Sequence, residues 1–413
     1  GAPALPAAAG ELRASLSDGS ARVAVVGLGY VGLPLAIAAA DAGFRTIGFD
    51  VDPEKVDALN AGRSYIDAVP DETVSSLRAD NRFVAVSSPD RLASADVVCI
   101  CVPTPLGPHR EPDLAFVERT ADMLAEVVRP GQLVVLESTS FPGTTREVVR
   151  PRLARTGLAL GEELFLAYSP EREDPGNAAF STRRIPKVVA GDDPAAAALA
   201  EAFYGRIVER VVRVSSTPVA EAVKITENVF RAVNIALVNE LKLALEAMGI
   251  DVWEVIDAAS TKPFGYMPFY PGPGLGGHCI PVDPFYLAWK ARGHGAATRF
   301  IELAGEINRA MPERVVERLA LALDVECGIA LSRARVLVLG LAYKKNVSDV
   351  RESPALELIR LMDARGTDVV FHDPHLPAIP PTRTWGAVAG RRSVPLDAAT
   401  VRAADAVLVA TDH

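Results

Sequence analysis

The chain has few cysteines, few aromatic residues and no surplus of basic residues. It contains four cysteines in 413 residues, 6% aromatic residues and 23% charged residues, with a net charge of −9. Four cysteines in a chain of this length do not form a disulfide framework, which favours a reducing cytoplasmic location. The acidic balance and the lack of a dense Lys/Arg run argue against a nucleic-acid-binding protein.

Long apolar runs are also missing. No stretch approaches the roughly 20 apolar residues that span a bilayer, so no membrane segment is predicted. The N-terminal stretch GAPALPAAAGELRASL has no cationic start before an apolar run and does not resemble a signal peptide. We expect a frayed end there that passes into a helix. The apolar fraction of 49% is sufficient for well-packed cores, and the length suggests two or three domains of roughly 100–200 residues each.

The order of strand and helix patterns predicts an α/β fold. Strand patterns alternate with helical patterns, which is typical of a parallel sheet covered on both faces. The strand patterns are RVAVVGLG, FRTIGFD, RFVAVS, ADVVCICVP, QLVVLESTS, LFLAYSPE and KVVAG. From Pro218 a long helical run without further Gly or Pro follows, and its many apolar positions suit a subunit interface.

The opening pattern partly returns near the end of the chain. The stretch RVLVLGLAYKKNVSDVRESPALELIRLMDARGTDVVFHDP again predicts strand, turn, helix and strand, with Ala342 and the lysine pair Lys344 and Lys345 where the first copy has its later glycines. We predict two Rossmann-like parallel-sheet domains joined by a long central helix and a helical middle domain. The predicted boundaries are 1–212, 213–311 and 312–413. The chain stops after a strand and its loop, so we expect the last domain to be truncated.

A glycine-rich turn in the first domain predicts a dinucleotide site. Gly27, Gly29 and Gly32 form a G-x-G-x-x-G sequence that follows a strand and opens a helix, and Asp50 ends the next strand. This context makes the motif specific for dinucleotides, because the glycines admit the pyrophosphate and the helix N-terminus binds it. Asp50 would bind the ribose hydroxyls and disfavour a 2′-phosphate, which predicts NAD rather than NADP.

The cysteines fall into different settings. Cys99 and Cys101 share one face of an apolar strand and are predicted to be buried packing residues. Cys279 follows the glycines of GLGGHCIPVD, which leave space at the sulfur and offer backbone N–H groups that lower its pKa or hold an oxyanion. Asp283 would act as a base or orient a water. The alternative is a buried structural cysteine in a turn. No metal site is predicted, since no second ligand pair is suitably spaced.

With these motifs in order, the chain resembles the nucleotide-sugar 6-dehydrogenases, the family of UDP-glucose dehydrogenase. The shared motifs run from Arg22 to the end of the chain. They are GLGYVGLP, GFDVD, VPTP, ESTSFPGTT, YSPER, the Lys224–Asn228 helix, GGHCIPVDP and GLAYKKNVSDVRESPA. The stretch FYPGPGLGGHCIPVDPFYLAWKA is most similar to the branch that acts on UDP-N-acetylhexosamines, above all UDP-N-acetylglucosamine.

The resemblance implies a four-electron oxidation. The sugar 6-hydroxyl is oxidised by a first NAD, Cys279 traps the aldehyde as a thiohemiacetal, a second NAD oxidises this to a thioester, and water releases the uronate. It also implies roles by position. The catalytic set would be Cys279, Lys224, Asn228, Asp283, Glu171 and Thr139. The cofactor-binding set would be Gly27, Gly29, Tyr30, Val31, Gly32, Asp50, Lys55, Thr104, Thr139 and Arg351. The substrate-binding set would be Lys224, Asn228, Tyr266, Gly276 and Lys344.

Other interpretations stay open at the level of sequence. UDP-glucose, UDP-N-acetylmannosamine and UDP-N-acetylgalactosamine are alternative substrates. A two-electron hydroxy-acid dehydrogenase shares the N-terminal half and the Lys/Asn helix but needs no cysteine. A non-catalytic NAD or UDP-sugar sensor would bind without turnover. For partners, we expect a UDP-sugar, no nucleic acid and no membrane, and a homodimer or larger homo-oligomer.

Overall fold

The computed structural model describes residues 5–66, 69–107, 111–172, 183–277, 280, 282–381 and 385–413. The chain divides into two compact units, residues 1–226 and residues 227–413. The elements of the first unit are α1 (Ala7–Asp18), β1 (Arg22–Val26), α2 (Gly32–Asp41), β2 (Arg45–Phe49), α3 (Pro53–Asn60), α4 (Asp71–Ala79), β3 (Phe83–Val86), β4 (Val97–Ile100), α5 (Ala115–Val127), β5 (Gln132–Leu136), α6 (Arg150–Leu153), β6 (Leu164–Tyr168), β7 (Lys187–Gly191), α7 (Pro194–Ile207) and β8 (Val211–Arg213).

The strands of the first unit form one sheet with helices on both faces. Within the described residues the sheet has eight strands in the order β3-β2-β1-β4-β5-β6-β7-β8. The residues of β4, β5 and β6 are buried throughout, as expected for strands that are covered on both sides. The predicted α/β class is confirmed. The order reverses between β1 and β4, and ligands of such sheets bind beyond the carboxyl ends of the strands at this switch point.

One strand departs from the predicted parallel sheet. β7 runs antiparallel to β6, with Tyr168 opposite Ala190 and Ala167 opposite Gly191. A parallel neighbour needs a long crossover connection, whereas an antiparallel neighbour does not. The reversal brings the first residue of β7, Lys187, to the edge of the sheet at which β6 ends.

Helix α1 extends the first unit at its N-terminal side. Ala9, Leu12 and Leu16 are buried in the same core as Leu199 and Phe203 of α7. The predicted helix near the N-terminus is confirmed as α1, whereas the first four residues of the expected frayed end lie outside the described residues. The helix covers an outer surface of the sheet domain.

The long helix predicted from Pro218 is confirmed as α8 (Thr217–Ala247), a single helix of 31 residues. The later elements belong to the second unit. They are α9 (Val252–Ser260), α10 (Asp283–Gly293), α11 (Arg299–Ala322), β9 (Arg335–Leu339), α12 (Pro354–Ala364), β10 (Asp368–His372), α13 (Ala398–Arg402) and β11 (Ala406–Val409). The described strands form a parallel sheet in the order β10-β9-β11.

The turn after β9 repeats the geometry of the turn after β1. Gly340 has a φ of +80°, and a Cβ there would lie 2.3 Å from the Thr411 carbonyl oxygen. The backbone N–H of Leu341 donates to Asp373 at 2.6 Å, just as the N–H of Leu28 donates to Asp50 at 2.9 Å. The second turn therefore keeps the Rossmann backbone although it has lost two glycines of the motif.

Buried amides fix the helical part of the second unit. Asn308 of α11 accepts from Asn239 of α8 at 3.0 Å and donates to the Ala232 carbonyl at 3.0 Å. Asn239 in turn accepts from the backbone N–H of Gly272 at 3.0 Å. These bonds satisfy both buried side chains and join two helices to the loop that leads towards the glycines before Cys279.

Candidate functional site

The glycine turn after β1 has the close contacts that its sequence predicts. Gly27 has a φ of +90°, and a Cβ there would lie 2.6 Å from the Cys101 carbonyl oxygen. A Cβ on Gly32 would lie 1.8 Å from the Gly27 carbonyl oxygen, so only glycine lets α2 begin this close to β1. Nothing lies within 4 Å of the Cβ position of Gly29. That open position leaves the backbone N–H groups accessible to a pyrophosphate.

Asp50 lies beside this turn and is buried. Its carboxylate accepts from the N–H groups of Leu28 at 2.9 Å and Asp52 at 3.0 Å. Lys55 places its Nζ 3.6 Å from the same carboxylate. A carboxylate held rigidly next to a glycine turn and a helix N-terminus fits the adenosine ribose of NAD, as predicted from the motif.

Tyr65 is a member of this region that the sequence did not indicate. Its hydroxyl donates to the Leu28 carbonyl at 2.7 Å. Burial, together with the carboxylates of Asp50 and Asp52, raises the pKa of Tyr65 well above its usual value. The hydroxyl therefore stays protonated and ties the glycine turn to the segment after α3.

Two predicted threonines meet where adjacent strands end. Thr104 follows β4, Thr139 follows β5, and the Thr104 hydroxyl donates to the Thr139 carbonyl at 2.6 Å. Thr104 is buried, whereas Thr139 is half-buried. Both lie at the carboxyl edge of the sheet, which is also the edge of Gly27 and Asp50.

The structure pairs Lys224 with Glu171. The Lys224 ammonium lies 3.4 Å from the Glu171 carboxylate, and the residues are 5% and 9% exposed. Glu171 follows β6, and Lys224 lies near the start of α8. Burial strengthens the attraction between the two charges and makes removal of either one costly.

Glu221 lies one turn before Lys224 and was not predicted. Its carboxylate is fully buried and accepts from the backbone N–H of Gly143 and from the N–H and hydroxyl of Thr145. Burial raises the pKa of Glu221 to about 7, while the hydrogen bonds oppose that shift. These bonds join α8 to the ESTSFPGTT segment that carries Thr139. A glutamate three positions before the lysine on an apolar helix face was the available signal.

A second buried ion pair that was not predicted lies beyond β5. The Lys187 ammonium lies 2.7 Å from the Glu137 carboxylate, and the Tyr204 hydroxyl of α7 also donates to that carboxylate. Glu137 directly follows the apolar run of β5, and an acid at such a position is a usable signal. Its partners are distant in sequence, and the sequence did not indicate them.

In the second unit, Asn228 of α8 donates to Asp283 at 2.6 Å. Asp283 is the first residue of α10 and is 2% exposed. A carboxylate is favourable at a helix N-terminus, and the amide gives it a specific partner. Lys224 and Asn228 thus lie four positions apart on one helix, and each is bonded to a buried carboxylate.

The glycines that precede Cys279 pack against a tyrosine. A Cβ on Gly276 would lie 2.6 Å from the Cβ of Tyr343, and one on Gly277 would lie 3.0 Å from its ring. The N–H of Gly277 donates to the Arg351 carbonyl at 3.2 Å. These glycines therefore have a packing role next to the turn after β9. Cys279 itself, like His278, lies outside the described residues.

The remaining predicted contacts have different degrees of exposure. The Arg351 guanidinium donates to both oxygens of the Asp349 carboxylate, from Nε at 3.0 Å to each and from Nη2 at 2.7 Å. Lys344 is half-buried, and Tyr266 is exposed. Tyr30 is exposed and Val31 is half-buried at the start of α2. Each of them stays a predicted contact.

The described part of the chain has neither a metal-binding cluster nor a membrane-spanning helix. Among those residues, no group of three or more His, Cys, Asp or Glu side chains is arranged to hold a metal ion. Over the same residues, no helix combines the length and apolar character that a membrane crossing requires. Cys99 and Cys101 are buried, as predicted.

Three models of one protein family match successive parts of the chain. The NAD binding domain model of the UDP-glucose/GDP-mannose dehydrogenase family matches residues 21–208, its central domain residues 218–310, and its UDP binding domain residues 337–413.

Individual relatives agree. A UDP-N-acetyl-D-glucosamine 6-dehydrogenase of Pseudomonas aeruginosa is 35% identical over 395 residues, which are 95% of this chain and 90% of that protein. A UDP-N-acetyl-D-mannosamine dehydrogenase of Pyrococcus horikoshii is 35% identical over 393 residues, or 95% of this chain and 89% of that protein. The solved structure of a UDP-D-ManNAc dehydrogenase from P. horikoshii superposes with a TM-score of 0.85 at 35% identity, covering 95% of this chain and 89% of the other. The chain belongs to the UDP-glucose/GDP-mannose dehydrogenase family and is an NAD-dependent UDP-sugar dehydrogenase.

Proposed function

We propose that the protein oxidises the C6 hydroxyl of a UDP-N-acetylhexosamine, foremost UDP-N-acetylglucosamine, to the uronic acid. Two relatives that are similar over nearly the whole chain are named for UDP-N-acetyl-D-glucosamine and UDP-N-acetyl-D-mannosamine, sugars with an N-acetyl group. The loop FYPGPGLGGHC supports the same branch. The pathway that would use the product is polysaccharide biosynthesis.

One observation carries the proposal. Lys224 and Asn228 lie one turn apart on α8, and each is bonded to a buried carboxylate, Glu171 at 3.4 Å and Asp283 at 2.6 Å. A dehydrogenase of this kind needs a cation or amide for the developing oxyanion and a carboxylate to move protons. A protein that only senses NAD or UDP-sugars has no need for two such buried pairs.

These side chains divide the work of the first oxidation. NAD, when bound, accepts a hydride in each of the two oxidation steps. Lys224 stabilises the negative charge that develops on the C6 oxygen, and Asn228 orients that oxygen. Asp283, with the help of Lys224, takes the hydroxyl proton through a water. The aldehyde is then the product of the first step.

Cys279 carries the second oxidation. Its thiol adds to the aldehyde carbon and forms a thiohemiacetal, which loses a hydride from carbon and the proton of its hydroxyl group to become a thioester. Water attacks the thioester carbonyl carbon and breaks the C–S bond, which releases the uronate and regenerates the Cys279 thiol. Glu171 and Thr139 hold or deprotonate this water. The covalent intermediate keeps the aldehyde on the enzyme between the two oxidations.

A panel of UDP-sugars tests the proposal. The purified protein should show its highest kcat/KM with UDP-N-acetylglucosamine and should form two NADH per sugar consumed. A higher kcat/KM with UDP-N-acetylmannosamine or UDP-N-acetylgalactosamine would assign a different substrate but leave the proposed reaction unchanged. Preference for UDP-glucose would contradict the acetamido assignment. One NADH per sugar with free aldehyde would refute the four-electron reaction and favour a two-electron dehydrogenase.

We also propose a cytoplasmic homodimer that forms through the helices of the second unit. They expose large apolar side chains, among them Phe230, Leu237, Leu241, Trp253 and Trp289. Exposed apolar clusters of this kind mark protein interfaces. Light scattering on the purified protein should give at least twice the mass of one chain, and a single-chain mass at micromolar concentration would contradict the interface.

A further inference from the structure

Burial of the Glu137–Lys187 ion pair costs free energy, because both charges lose contact with water. Glu137 is 1% exposed, and its carboxylate is satisfied by the Lys187 ammonium and the Tyr204 hydroxyl. Burial and the neighbouring Glu137 carboxylate raise the pKa of Tyr204 well above its usual value, so this hydroxyl stays a donor. Desolvation of two charges often outweighs their attraction, so such a pair is poor evidence for a stabilising role. A specific positional role explains it better.

Lys187 makes a second hydrogen bond next to Glu171, the residue to which the proposed function gives a catalytic role. Its ammonium donates to the Pro170 carbonyl at 3.1 Å, one residue before Glu171. Two flanking bonds run between the same segments, from the Ser169 hydroxyl to the Val188 carbonyl at 2.8 Å and from the Arg172 guanidinium to the Pro186 carbonyl at 2.7 Å. In the segment 169–172, which carries Glu171, the other three residues are therefore each hydrogen-bonded to residues 186–188.

The antiparallel direction of β7 makes this contact possible. With Tyr168 opposite Ala190, the register continues to place Lys187 opposite residue 171. A small pocket lies at this place and is lined by residues that include Glu137, Glu171 and Lys187. Val31 and Leu35 of the dinucleotide helix also line it.

We propose that Lys187, held by Glu137 and Tyr204, is a positioning residue that fixes Glu171 relative to Lys224. This inference deepens the proposed function and rests on the role given there to Glu171. Glu171 has to meet the reacting water within a narrow distance while it stays bonded to Lys224. A segment that is free to shift would lose that geometry, although the fold would remain.

The test is a double-mutant cycle with Glu171. The double variant Glu137→Gln/Lys187→Met removes both buried charges together, so neither is left unpaired. Since a misplacement of about 1 Å can lower a rate by about 10²-fold, we expect kcat for UDP-N-acetylglucosamine to fall by about that factor. KM for NAD should stay unchanged. In a Glu171→Gln background the same two substitutions should cause no further loss, because residues that act through one group are not additive.

An ion pair at the amino-terminal ends of β4 and β5, in the same sheet, provides a control. Arg129 and Asp96 form an ion pair of the same length, 2.7 Å, and Asp96→Asn/Arg129→Met should leave kcat unchanged. Tyr204→Phe keeps the ion pair and should lower kcat by less than the double variant does. It tests the same role if the double variant does not fold. Circular dichroism melting establishes folding for each protein.

The outcomes separate the inference from the proposed function. If Glu171→Gln lowers kcat and the Glu137/Lys187 substitutions lower it again by the same factor, the positioning role is refuted and the reaction stands. If Tyr204→Phe and the double variant both keep wild-type kcat, the positioning role is also refuted. If Glu171→Gln keeps wild-type kcat, both the role of Glu171 and the inference fail.

Discussion

Cys279→Ala is expected to abolish uronate formation. Without the thiol the aldehyde cannot form a thiohemiacetal, so the second oxidation has no substrate bound to the enzyme. Loss of a covalent nucleophile lowers turnover by several orders of magnitude, and here we expect at least about 10³-fold. The measurement is chromatographic quantification of UDP-uronate together with NADH absorbance, supported by intact-protein mass spectrometry for the thioester in the wild type.

The other cysteines provide the controls. Burial raises the pKa of Cys99 and Cys101 well above the usual thiol value, so neither forms the thiolate that a nucleophile requires. Cys327 is exposed on the second unit and has no proposed role, and Cys327→Ala should therefore turn over like the wild type. Undiminished uronate formation by Cys279→Ala would remove the cysteine from the mechanism and make the hydroxy-acid dehydrogenase type of reaction the better account.

The features that the sequence predicts well are local ones. The G-x-G-x-x-G turn is readable because its tightest contact is local, between the Cβ position of Gly32 and the Gly27 carbonyl oxygen. The helix α8 is readable because the run after Pro218 has no breaker and is longer than any loop would be. Strand patterns such as ADVVCICVP are readable because a short, continuous apolar run is typical of a strand that is buried on both faces. Each of these depends on the period or composition of one segment.

The features that the sequence does not predict depend on long-range register. Lys187 begins a strand, and in a wholly parallel sheet it would lie at the amino-terminal edge, away from the ligand sites. Only the antiparallel pairing of β7 with β6 brings it to Glu137 and Pro170. No local pattern specifies that direction. A lysine next to an apolar strand is most often solvated, so its burial is found only in the folded structure.

The same reason explains the glycines before Cys279. A glycine-rich loop next to a cysteine suggests open space for a substrate, which is a local interpretation. The structure adds Tyr343, whose side chain lies 2.6 Å from the Cβ position of Gly276 and 3.0 Å from that of Gly277. Tyr343 is more than 60 residues later in the chain, and nothing in the loop itself indicates it.

Lys224→Met should lower kcat for UDP-N-acetylglucosamine oxidation by about 10²–10³-fold, the usual loss when one donor to a developing oxyanion is removed. Methionine retains much of the side-chain volume and removes only the positive charge. Because the same ammonium pairs with the buried Glu171 at 3.4 Å, the variant also leaves that carboxylate without its cation and should melt at a lower temperature. Steady-state kinetics and a thermal melt on the same preparation measure both effects.

Lys242→Met is the matched control on the same helix. Lys242 forms an exposed ion pair with Glu246 at 2.7 Å, and exposed pairs of this kind contribute about 0.3–0.5 kcal/mol at most. It should therefore change neither kcat nor the melting temperature appreciably. The double variant Lys224→Met/Glu171→Gln removes both buried charges and should recover melting temperature without recovering kcat, because the oxyanion still lacks its donor and the reacting water lacks its carboxylate. Recovery of kcat in that double variant would mean that neither Lys224 nor Glu171 takes a direct part in the oxidation.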